Sequence, residues 1–253
     1  MSAPLLEVSA LSRSFGGIAA ASELSLQVVH GEVHAIIGPN GAGKTTLVSL
    51  LAGELRPDSG SIRFCGETIT AMPVHARTQR GLARTFQITS IFPEFSAVGN
   101  VAMAVQAHAN HSFRFWRPVA ADMALRQRAL EVLQQVGLAD APDRNAGEMS
   151  HGEHRLLEMA MALATRPALL LLDEPAAGLG PEETTAMVAI LRKLRQDKGI
   201  LLVEHDMDVV FAIADRITVM VSGRAIATGS PQAIREDDNV RKAYLGEGLH
   251  ESA

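Results

Sequence analysis

The sequence predicts an α/β domain with a helical segment inserted near its middle. Apolar, strand-length segments alternate with helical patterns in the first third of the chain, and the same alternation returns near residue 169. Between these two parts, residues 97–165 follow a mainly helical, alanine-rich pattern. Alternation of strands and helices is typical of a parallel sheet covered by helices, and the helical stretch interrupts it.

The first predicted elements are strands. Residues 24–30 alternate apolar and polar side chains, as in a strand with one exposed face. Residues 33–37 are almost continuously apolar, which is typical of a strand buried on both faces of a parallel sheet. Residues 61–65 predict a further strand that contains the only cysteine, Cys65, which we expect to be half-buried there. A single cysteine excludes an internal disulfide and a zinc site built from cysteines.

Helices and further strands follow in order. Residues 44–55 predict a helix directly after a glycine-rich turn. Pro181 fits the first position of a later helix, and Ser230 with Pro231 fits the N-cap and first position of another. Three apolar segments in the second half of the chain predict further strands, at residues 169–173, 200–204 and 217–221.

Composition limits the classes of function. The chain has 253 residues, of which 47% are apolar and 20% charged, so it can bury a substantial core. Its net charge of -5, without a basic cluster, argues against nucleic acid as a partner. The sequence shows no signal peptide pattern and no apolar run of membrane-spanning length. We therefore expect a cytoplasmic protein, which can still dock on a membrane protein.

A phosphate-binding loop is the strongest motif. Residues 38–45 read GPNGAGKT and match the pattern G-x-x-x-x-G-K-[ST], between a predicted buried strand and a predicted helix. Glycines let several backbone N–H groups point inward at an anion, and the helix N-terminus adds positive charge. Lys44 can reach the outer phosphates and the Thr45 hydroxyl can bind Mg²⁺. We expect the nucleotide to contact Gly38, Pro39, Asn40, Gly41, Ala42, Gly43, Lys44, Thr45 and Thr46.

Two carboxylates, Asp173 and Glu174, end the apolar strand at residues 169–173. Asp173 can hold Mg²⁺ through water, and Glu174 can polarise a water molecule for attack on a γ-phosphate. An acidic pair at a strand end also occurs without function, but the phosphate loop in the same chain favours the catalytic interpretation. The sequence therefore predicts hydrolysis as well as binding.

Polar residues also follow the predicted strand at 200–204. Ligands of open parallel sheets bind at the carboxyl ends of the strands, so His205 is a candidate γ-phosphate sensor. A single histidine is often a satisfied structural residue, and only its placement favours function here.

The segment MSHGE, residues 149–153, predicts a helix start with two interpretations. Ser150 and Glu153 stand at capping-box spacing, which explains them structurally. A helix start containing Gly152 also offers unpaired N–H groups to an anion. The spacing alone does not distinguish the capping box from an anion site. Gln87, considered alone, is an ordinary polar loop residue.

In this order the segments resemble an ATP-binding cassette, the motor subunit of ABC transporters. The resemblance implies a RecA-like P-loop NTPase fold with a mostly parallel sheet, an N-terminal antiparallel β subdomain and an inserted helical lobe. It implies a cassette over residues 5–248, with the nucleotide-binding core at 5–87 and 167–230. The helical lobe would span 88–166, and a C-terminal helix and tail 231–253.

The resemblance also implies roles for single residues. Phe15 would stack on adenine, and Gln87 would contact Mg²⁺ and report the nucleotide state to the helical lobe. The signature residues, here Ser150, Gly152 and Glu153, would contact the γ-phosphate of ATP that another subunit holds.

The resemblance further implies partners. It implies a head-to-tail dimer of cassettes around two ATP molecules with Mg²⁺, in which the second cassette is identical or paralogous. The dimer would sit at the cytoplasmic face of the membrane on integral permease subunits, and a substrate-binding protein would act indirectly. Residues 88–100 would contact the permease, while residues 110–118, with Trp116, have no assigned contact.

Finer features resemble the cassettes of branched-chain amino acid importers. These are SFGGI at 14–18, GLARTFQ at 81–87, EPAAGLGPEE at 174–183 and the ending AYLGEG. Urea-type importers share much of this pattern, and HAR at 75–77 resembles the lipopolysaccharide-export cassette. A soluble ABC ATPase of repair or translation and a non-hydrolysing nucleotide-binding regulator are further alternatives.

Some residues depart from the family pattern. The usual signature is LSGGQ or LSYGQ, and Glu153 here replaces a neutral amide, so it could weaken ATP affinity or slow closure. The loop after Glu174 reads AAGLG and lacks the acidic residue that many cassettes carry there. Gly180 replaces the asparagine expected in the most similar subgroup.

Overall fold

Two β-sheets organise the chain in the computed structural model, which describes residues 3–85, 91–108 and 123–245. The first sheet is antiparallel and has the order β2-β1-β4-β5. Its strands are β1 (Leu6–Phe15), β2 (Ile18–Val28), β4 (Ser59–Phe64) and β5 (Glu67–Thr68).

The second sheet has six strands in the order β10-β9-β3-β8-β7-β6. Five of them run parallel, and β10 pairs antiparallel with β9 at one edge. The strands are β3 (Val33–Ile37), β6 (Leu82–Arg84), β7 (Leu169–Asp173), β8 (Gly199–Val203), β9 (Arg216–Val221) and β10 (Arg224–Gly229). Every residue of β3, β7 and β8 is buried. Because these strands run parallel, the residues at their carboxyl ends meet at one edge of the sheet.

Nine α-helices are present in the described part of the chain, together with a short 3-10 helix at Ala146–Glu148. They are α1 (Lys44–Ala52), α2 (Val74–Gln79), α3 (Ala97–His108), α4 (Met123–Gln135), α5 (His151–Ala164), α6 (Pro181–Leu194), α7 (Met207–Ile213), α8 (Pro231–Glu236) and α9 (Asp238–Leu245). Helices α3, α4 and α5 pack on one another and form the inserted helical part. Among the described residues, no helix combines the length and the apolar character that crossing a bilayer requires.

Alternate residues of the central strands serve two hydrophobic cores. Leu170 and Leu172 of β7 face a cluster shared with α3, α4, α5 and α6. Leu169 and Leu171 face the opposite cluster, which includes α1 and the antiparallel sheet. Because side chains alternate across a strand, one apolar run holds the helical part on one face and the antiparallel sheet on the other.

The predicted fold class is confirmed, with differences at element ends. The limits of β3 and β7 are those predicted, while α1 ends at Ala52 because Gly53 caps it in the left-handed conformation, with φ of 88°. Pro181 and Ser230 occupy their predicted helix-start positions. The expectation for Cys65 is wrong: β4 ends at Phe64, and Cys65 is exposed in the following turn with φ of 49°.

Candidate nucleotide site

The glycine-rich loop connects the buried strand β3 to helix α1. Two of its glycines fill positions where a side chain has no room. A Cβ at Gly38 would lie 2.1 Å from the carbonyl oxygen of Met220, and one at Gly43 would lie 2.0 Å from that of Ala20. Both glycines also have positive φ, 152° and 96°. The loop is therefore packed tightly between β9 and β2 and needs glycine at both positions.

Lys44 begins α1 and turns back over this loop. Its ammonium group donates hydrogen bonds to the carbonyl oxygens of Gly38 and Pro39, at 2.5 and 2.9 Å. The side chain is largely buried, while Thr45 is exposed and Thr46 half-buried on the first turn. The cation thus lies inside the curve of the loop, where an anion would meet both the ammonium group and the helix N-terminus.

Asp173 ends β7 next to this loop, and only 5% of it is exposed. Its Oδ2 accepts a hydrogen bond from Arg84 at 3.0 Å, while Oδ1 is buried and has no hydrogen-bond partner in the structure. Burial raises the pKa of Asp173, although the nearby Arg84 guanidinium opposes the shift. A buried carboxylate oxygen without a donor is a fitting ligand for a hard cation such as Mg²⁺.

The described residues contain no group of three or more His, Cys, Asp or Glu side chains that could hold a metal ion alone. Mg²⁺ in proteins commonly takes one or two carboxylates and fills its other positions with phosphate oxygens and water. Asp173 and the Thr45 hydroxyl fit that limited donor set. The residues present therefore suit a cation that arrives with a phosphate ligand.

Glu174 follows in a strained conformation. Its φ is +50°, which is unusual for a residue with a Cβ, and its N–H donates to the carbonyl oxygen of Val203 at 2.9 Å. The Glu174 side chain is 39% exposed, whereas the neighbouring Asp173 is buried. Strain of this kind is common at functional sites, where the surroundings hold it in place.

His205 follows β8 and lies beside Glu174. Its Nδ1 is 3.7 Å from Oε1 of Glu174, and 62% of its side chain is exposed. The predicted pair at the ends of two neighbouring strands is therefore brought together. Both side chains are accessible from the same edge of the parallel sheet.

Arg84 is a site residue that sequence reasoning missed. Besides Asp173, its guanidinium contacts the Ser49 hydroxyl at 3.0 Å and the Glu54 carboxylate. It ends β6, the neighbour of β7, so it reaches Asp173 across the sheet. An arginine at the end of a short strand before Gln87 was the available signal, but the pairing of β6 with β7 could not be read locally.

Glu204 was also missed. It is fully buried, and burial raises its pKa even though backbone N–H groups oppose the shift. Its carboxylate accepts hydrogen bonds from the N–H groups of Ala176, His205 and Asp206. Glu204 is therefore buried below the partly exposed side chains of Glu174 and His205.

The helix start at residues 149–153 forms the predicted capping box. The Ser150 hydroxyl accepts from the N–H of Glu153 at 3.2 Å, and the Glu153 carboxylate accepts from the N–H of Ser150 at 2.7 Å. Arg144 also binds this carboxylate. Burial opposes the charge on Glu153, but the Arg144 and Ser150 hydrogen bonds outweigh it and lower the pKa.

Gly152 lies in the first turn of α5 against a carboxylate of α6. A Cβ there would meet Oε1 of Glu183 at 2.3 Å, so a larger residue would displace this carboxylate. The same Glu183 carboxylate accepts from the N–H of Gly180 at 3.0 Å. The helix start and the loop before α6 are thus in contact within the chain.

Phe15 and Gln87 complete the predicted set. Phe15 ends β1 with 43% of its surface exposed, and the Arg13 guanidinium lies 4.9 Å from its ring centroid. The predicted role of Gln87 lies outside the described residues, as do residues 110–118 with Trp116.

Comparison with protein families gives two matches. The family described as "ABC transporter" matches residues 21–177, and the family described as "Branched-chain amino acid ATP-binding cassette transporter" matches residues 226–250. The first match contains the glycine-rich loop, the helix start at 149–153 and the carboxylates Asp173 and Glu174.

Curated relatives cover almost the whole chain. The high-affinity branched-chain amino acid transport ATP-binding protein BraF of Pseudomonas aeruginosa is 42% identical over 98% of this chain and 100% of its own length. The corresponding LivG of Escherichia coli is 37% identical over 98% and 100%. The lipopolysaccharide export system ATP-binding protein LptB of Acidithiobacillus ferridurans is 34% identical over 96% and 97%.

Solved structures give the same fold. The ADP conformation of the ATP-binding cassette MJ1267 has a TM-score of 0.86 and 28% identity, and covers 97% of this chain and 100% of its own. A nucleotide-free cassette from an ABC transporter has a TM-score of 0.84 and 27% identity, over 96% and 99%. With the phosphate loop, the strand-end carboxylates and these matches in agreement, the chain belongs to the ABC transporter family, as one of its ATP-binding cassettes.

Proposed function

We propose that the protein is the ATP-hydrolysing motor subunit of an ABC importer for branched-chain or related amino acids. The observation that carries hydrolysis is the convergence of Lys44, Asp173, Glu174 and His205 at one edge of the parallel sheet. The names of the relatives BraF and LivG, and the match at residues 226–250, support the cargo.

The glycine-rich loop and Lys44 bind the phosphates of ATP. Asp173, the Thr45 hydroxyl and Gln87 would hold Mg²⁺, and the ion would supply positive charge to the phosphates of the bound nucleotide. Arg84 fixes Oδ2 of Asp173, which leaves the buried Oδ1 for the cation or its water shell. Phe15, exposed at the end of β1, stacks on adenine.

Glu174 accepts a proton from the attacking water and aligns it with the γ-phosphate. General-base assistance of this kind contributes roughly 10²- to 10⁴-fold to a rate. His205, 3.7 Å from Glu174, contacts the γ-phosphate and, with Lys44, stabilises the charge that develops on it.

A second cassette completes each site. The Ser150 hydroxyl, Gly152 and the N-terminal turn with Glu153 contact the γ-phosphate of ATP held by the partner cassette. The negative charge of Glu153 is compensated by Arg144, so it opposes the triphosphate less than a free carboxylate would. This pairing supports an active signature in spite of the MSHGE sequence.

Residues 88–100 are the proposed contact with the membrane permease at the cytoplasmic face of the membrane. In the described part of this segment, Phe92 and Phe95 are 48% and 47% exposed and form an edge-to-face pair with centroids 5.9 Å apart. Exposed aromatic pairs are typical of protein interfaces. A substrate-binding protein acts on the permease, and no nucleic acid is involved.

The proposed division of the cassette follows its resemblance to the family. The nucleotide-binding core comprises residues 5–87 and 167–230, the helical lobe 88–166 and the C-terminal helix and tail 231–253. The packing of α3, α4 and α5 on one another supports the lobe as a unit. A lipopolysaccharide exporter is the second candidate assembly, because LptB matches at 34% identity.

Glu174→Gln tests the proposed hydrolysis. We expect the variant to bind ATP but to turn over at least roughly 100-fold more slowly, because an amide cannot accept the proton of water. The measurement is phosphate release by the cassette assembled with its permease. Glu236→Gln, an exposed change in α8, is the matched control and should keep full activity. Wild-type turnover in the Glu174 variant would remove this residue from the mechanism.

Transport by the assembled complex tests the cargo. In proteoliposomes with the permease and binding protein, we expect ATP-dependent uptake of labelled leucine, isoleucine or valine. Release of lipopolysaccharide from the membrane, without amino acid uptake, would favour the export assembly instead.

A further inference from the structure

Glu204 is an ionisable side chain with no exposed surface, directly at the end of β8. Both of its oxygens are occupied by backbone donors. Oε1 accepts from the N–H of Ala176 at 2.9 Å, and Oε2 accepts from the N–H groups of His205 at 3.0 Å and Asp206 at 3.4 Å. The carboxylate thus binds three main-chain groups that lie on two separate loops.

The two loops are those that carry the Glu174 and His205 pair. Ala176 lies two residues after Glu174, in the loop that follows β7. His205 and Asp206 belong to the loop that follows β8. The strands themselves are joined here by the hydrogen bond from the N–H of Glu174 to the carbonyl oxygen of Val203, at 2.9 Å.

The loop after β7 also reaches the start of α5. A Cβ at Gly178 would lie 3.1 Å from Nε2 of His151, so the loop passes closely over the first residue of that helix. Hydrogen bonds therefore join His205 to Ala176 through Glu204, and the backbone continues from Ala176 to Gly178, which lies against the helix start. Movement of His205 toward a phosphate would act on this loop through the Glu204 carboxylate.

The choice of a carboxylate at this buried position follows from the number of backbone donors that it serves. Burying an ionised carboxylate costs several kcal/mol unless hydrogen bonds compensate it. A hydroxyl or amide side chain offers one acceptor oxygen, whereas a carboxylate offers two oxygens that only accept. Serving two loops at once therefore requires the carboxylate.

We propose that Glu204 is a positioning residue that fixes the Glu174 and His205 pair relative to each other and links both to the start of α5. This inference rests on the proposed ATPase function of that pair. Glu204 touches neither nucleotide nor water in this mechanism. It acts through the backbone of the two loops.

Kinetics of Glu204→Gln test the inference. The substitution keeps the shape but replaces one acceptor by an NH₂ group that faces a backbone N–H. We expect kcat to fall roughly 10- to 100-fold, because one loop loses its anchor. The KM for ATP should stay within about twofold, since the phosphate loop and Phe15 are untouched. Glu204→Asp, which restores both oxygens on a shorter arm, should recover part of kcat.

Glu32→Gln is the matched control. Glu32 is also buried, accepts from the N–H of Val29 at 2.8 Å and pairs with Arg216 at 2.9 Å, but it lies before β3, away from the strand ends of the site. It should lower the melting temperature and leave kcat per folded molecule unchanged. Equal losses of kcat in both variants, or a Glu204→Gln effect on the melting temperature alone, would overturn the positioning role.

Backbone amide spectra separate this inference from the ATPase proposal. On binding a non-hydrolysable ATP analogue with Mg²⁺, wild-type resonances of His205 and Ala176 should shift together, and in Glu204→Gln the Ala176 shift should be lost. Joint shifts that persist in the variant would refute the link between the loops. Wild-type protein that shows the joint shifts but no hydrolysis would instead refute the ATPase proposal alone.

Discussion

Arg77 is the largest fully buried side chain among the described residues. Its guanidinium donates to the carbonyl oxygens of Leu50, Leu51, Thr70 and Met72, at 2.6 to 3.0 Å. Burial lowers its pKa to about 10, so it remains charged at neutral pH. Leu50 and Leu51 belong to the last turn of α1, so Arg77 satisfies the end of the helix whose start forms the phosphate loop.

Arg77→Ala should lower the free energy of unfolding by about 3 kcal/mol, because four buried carbonyl oxygens lose a charged donor. Arg80→Ala is the control. Its ion pair with Glu67 is exposed, and its loss should cost less than about 1 kcal/mol. Urea denaturation measures both. Equal stability of the two variants would contradict the structural role given to Arg77.

His34 provides a pH-dependent stability term inside β3. Its ring nitrogens lie 2.9 Å from the carbonyl oxygen of Gln27 and 2.8 Å from the Thr218 hydroxyl, and burial lowers its pKa from 6.5 to about 4. Unfolded His34 gains a proton below pH 6.5, whereas the folded one stays neutral down to about pH 4. Stability is therefore fully present above the unfolded pKa and falls as the pH drops through this window.

His34→Gln removes this titration while keeping one donor and one acceptor. Between pH 7 and pH 5, the wild type should lose about 2 kcal/mol more unfolding free energy than the variant. Urea titrations at the two pH values give the difference. Parallel losses in the two proteins would show that His34 does not titrate as the burial implies.

At the scale of elements, helices α5 and α8 each begin with a serine N-cap, but we expect only the α5 cap to act in the site. The Ser150 hydroxyl caps α5, and the Ser230 hydroxyl caps α8 by accepting from Ala233 at 3.3 Å. Removing either hydroxyl should cost about 1 kcal/mol of stability. Only Ser150→Ala should also slow ATP turnover, by roughly tenfold or more, because its helix start is the proposed anion contact.

Paired measurements of melting temperature and phosphate release distinguish the two serines. A turnover loss in Ser230→Ala of the same size would mean that cap stability alone explains the effect. Unchanged turnover in Ser150→Ala would remove its hydroxyl from the proposed site.

Prediction of strand limits from sequence was exact for two fully buried strands and one residue late for a third, β8, which was predicted at 200–204 and spans Gly199–Val203. The strands β3 and β7 have apolar side chains on both faces, and their limits were predicted correctly. The start of β2 was missed because residues 18–23 are small or exposed and do not alternate clearly. The end of β4 was placed one residue too late because Cys65, which is apolar in type, lies in a turn.

The site was predicted in part for a related reason. Lys44, Asp173, Glu174 and His205 follow apolar strands directly, so the pattern marks them. Arg84 and Glu204 act through tertiary contacts, with Asp173 across the β6 and β7 pair and with Ala176 in another loop. Such contacts depend on strand order, which local sequence does not encode.

At the scale of the whole molecule, an exposed aromatic pair is held rigidly beside the helical part. The fully buried Asn100 side chain bonds both backbone groups of Phe92, at 2.8 and 3.1 Å, and the carbonyl oxygen of Ser96 at 3.0 Å. The segment before α3 is therefore fixed, while the rings of Phe92 and Phe95 stay exposed. This arrangement suits a preformed docking surface.

Replacing both phenylalanines by alanine should weaken copurification with the permease at least roughly tenfold in apparent affinity, since buried aromatic anchors dominate interfaces. ATP binding by the isolated cassette should be unchanged. Ile226→Ala, an exposed apolar change on β10, is the control and should leave the assembly intact. Normal assembly of the double variant would place the permease elsewhere.

The phosphate loop packs closely against strands from both sheets. The loop contacts Ala20 on the antiparallel sheet and Met220 on β9, and Gly223 donates to the carbonyl oxygen of Ala42 at 3.0 Å while accepting from Ser22 at 2.7 Å. The loop is therefore held by contacts between segments about 200 residues apart in sequence. We expect nucleotide affinity to return during refolding only after both sheets have assembled, so that binding would report tertiary assembly rather than local order in the loop.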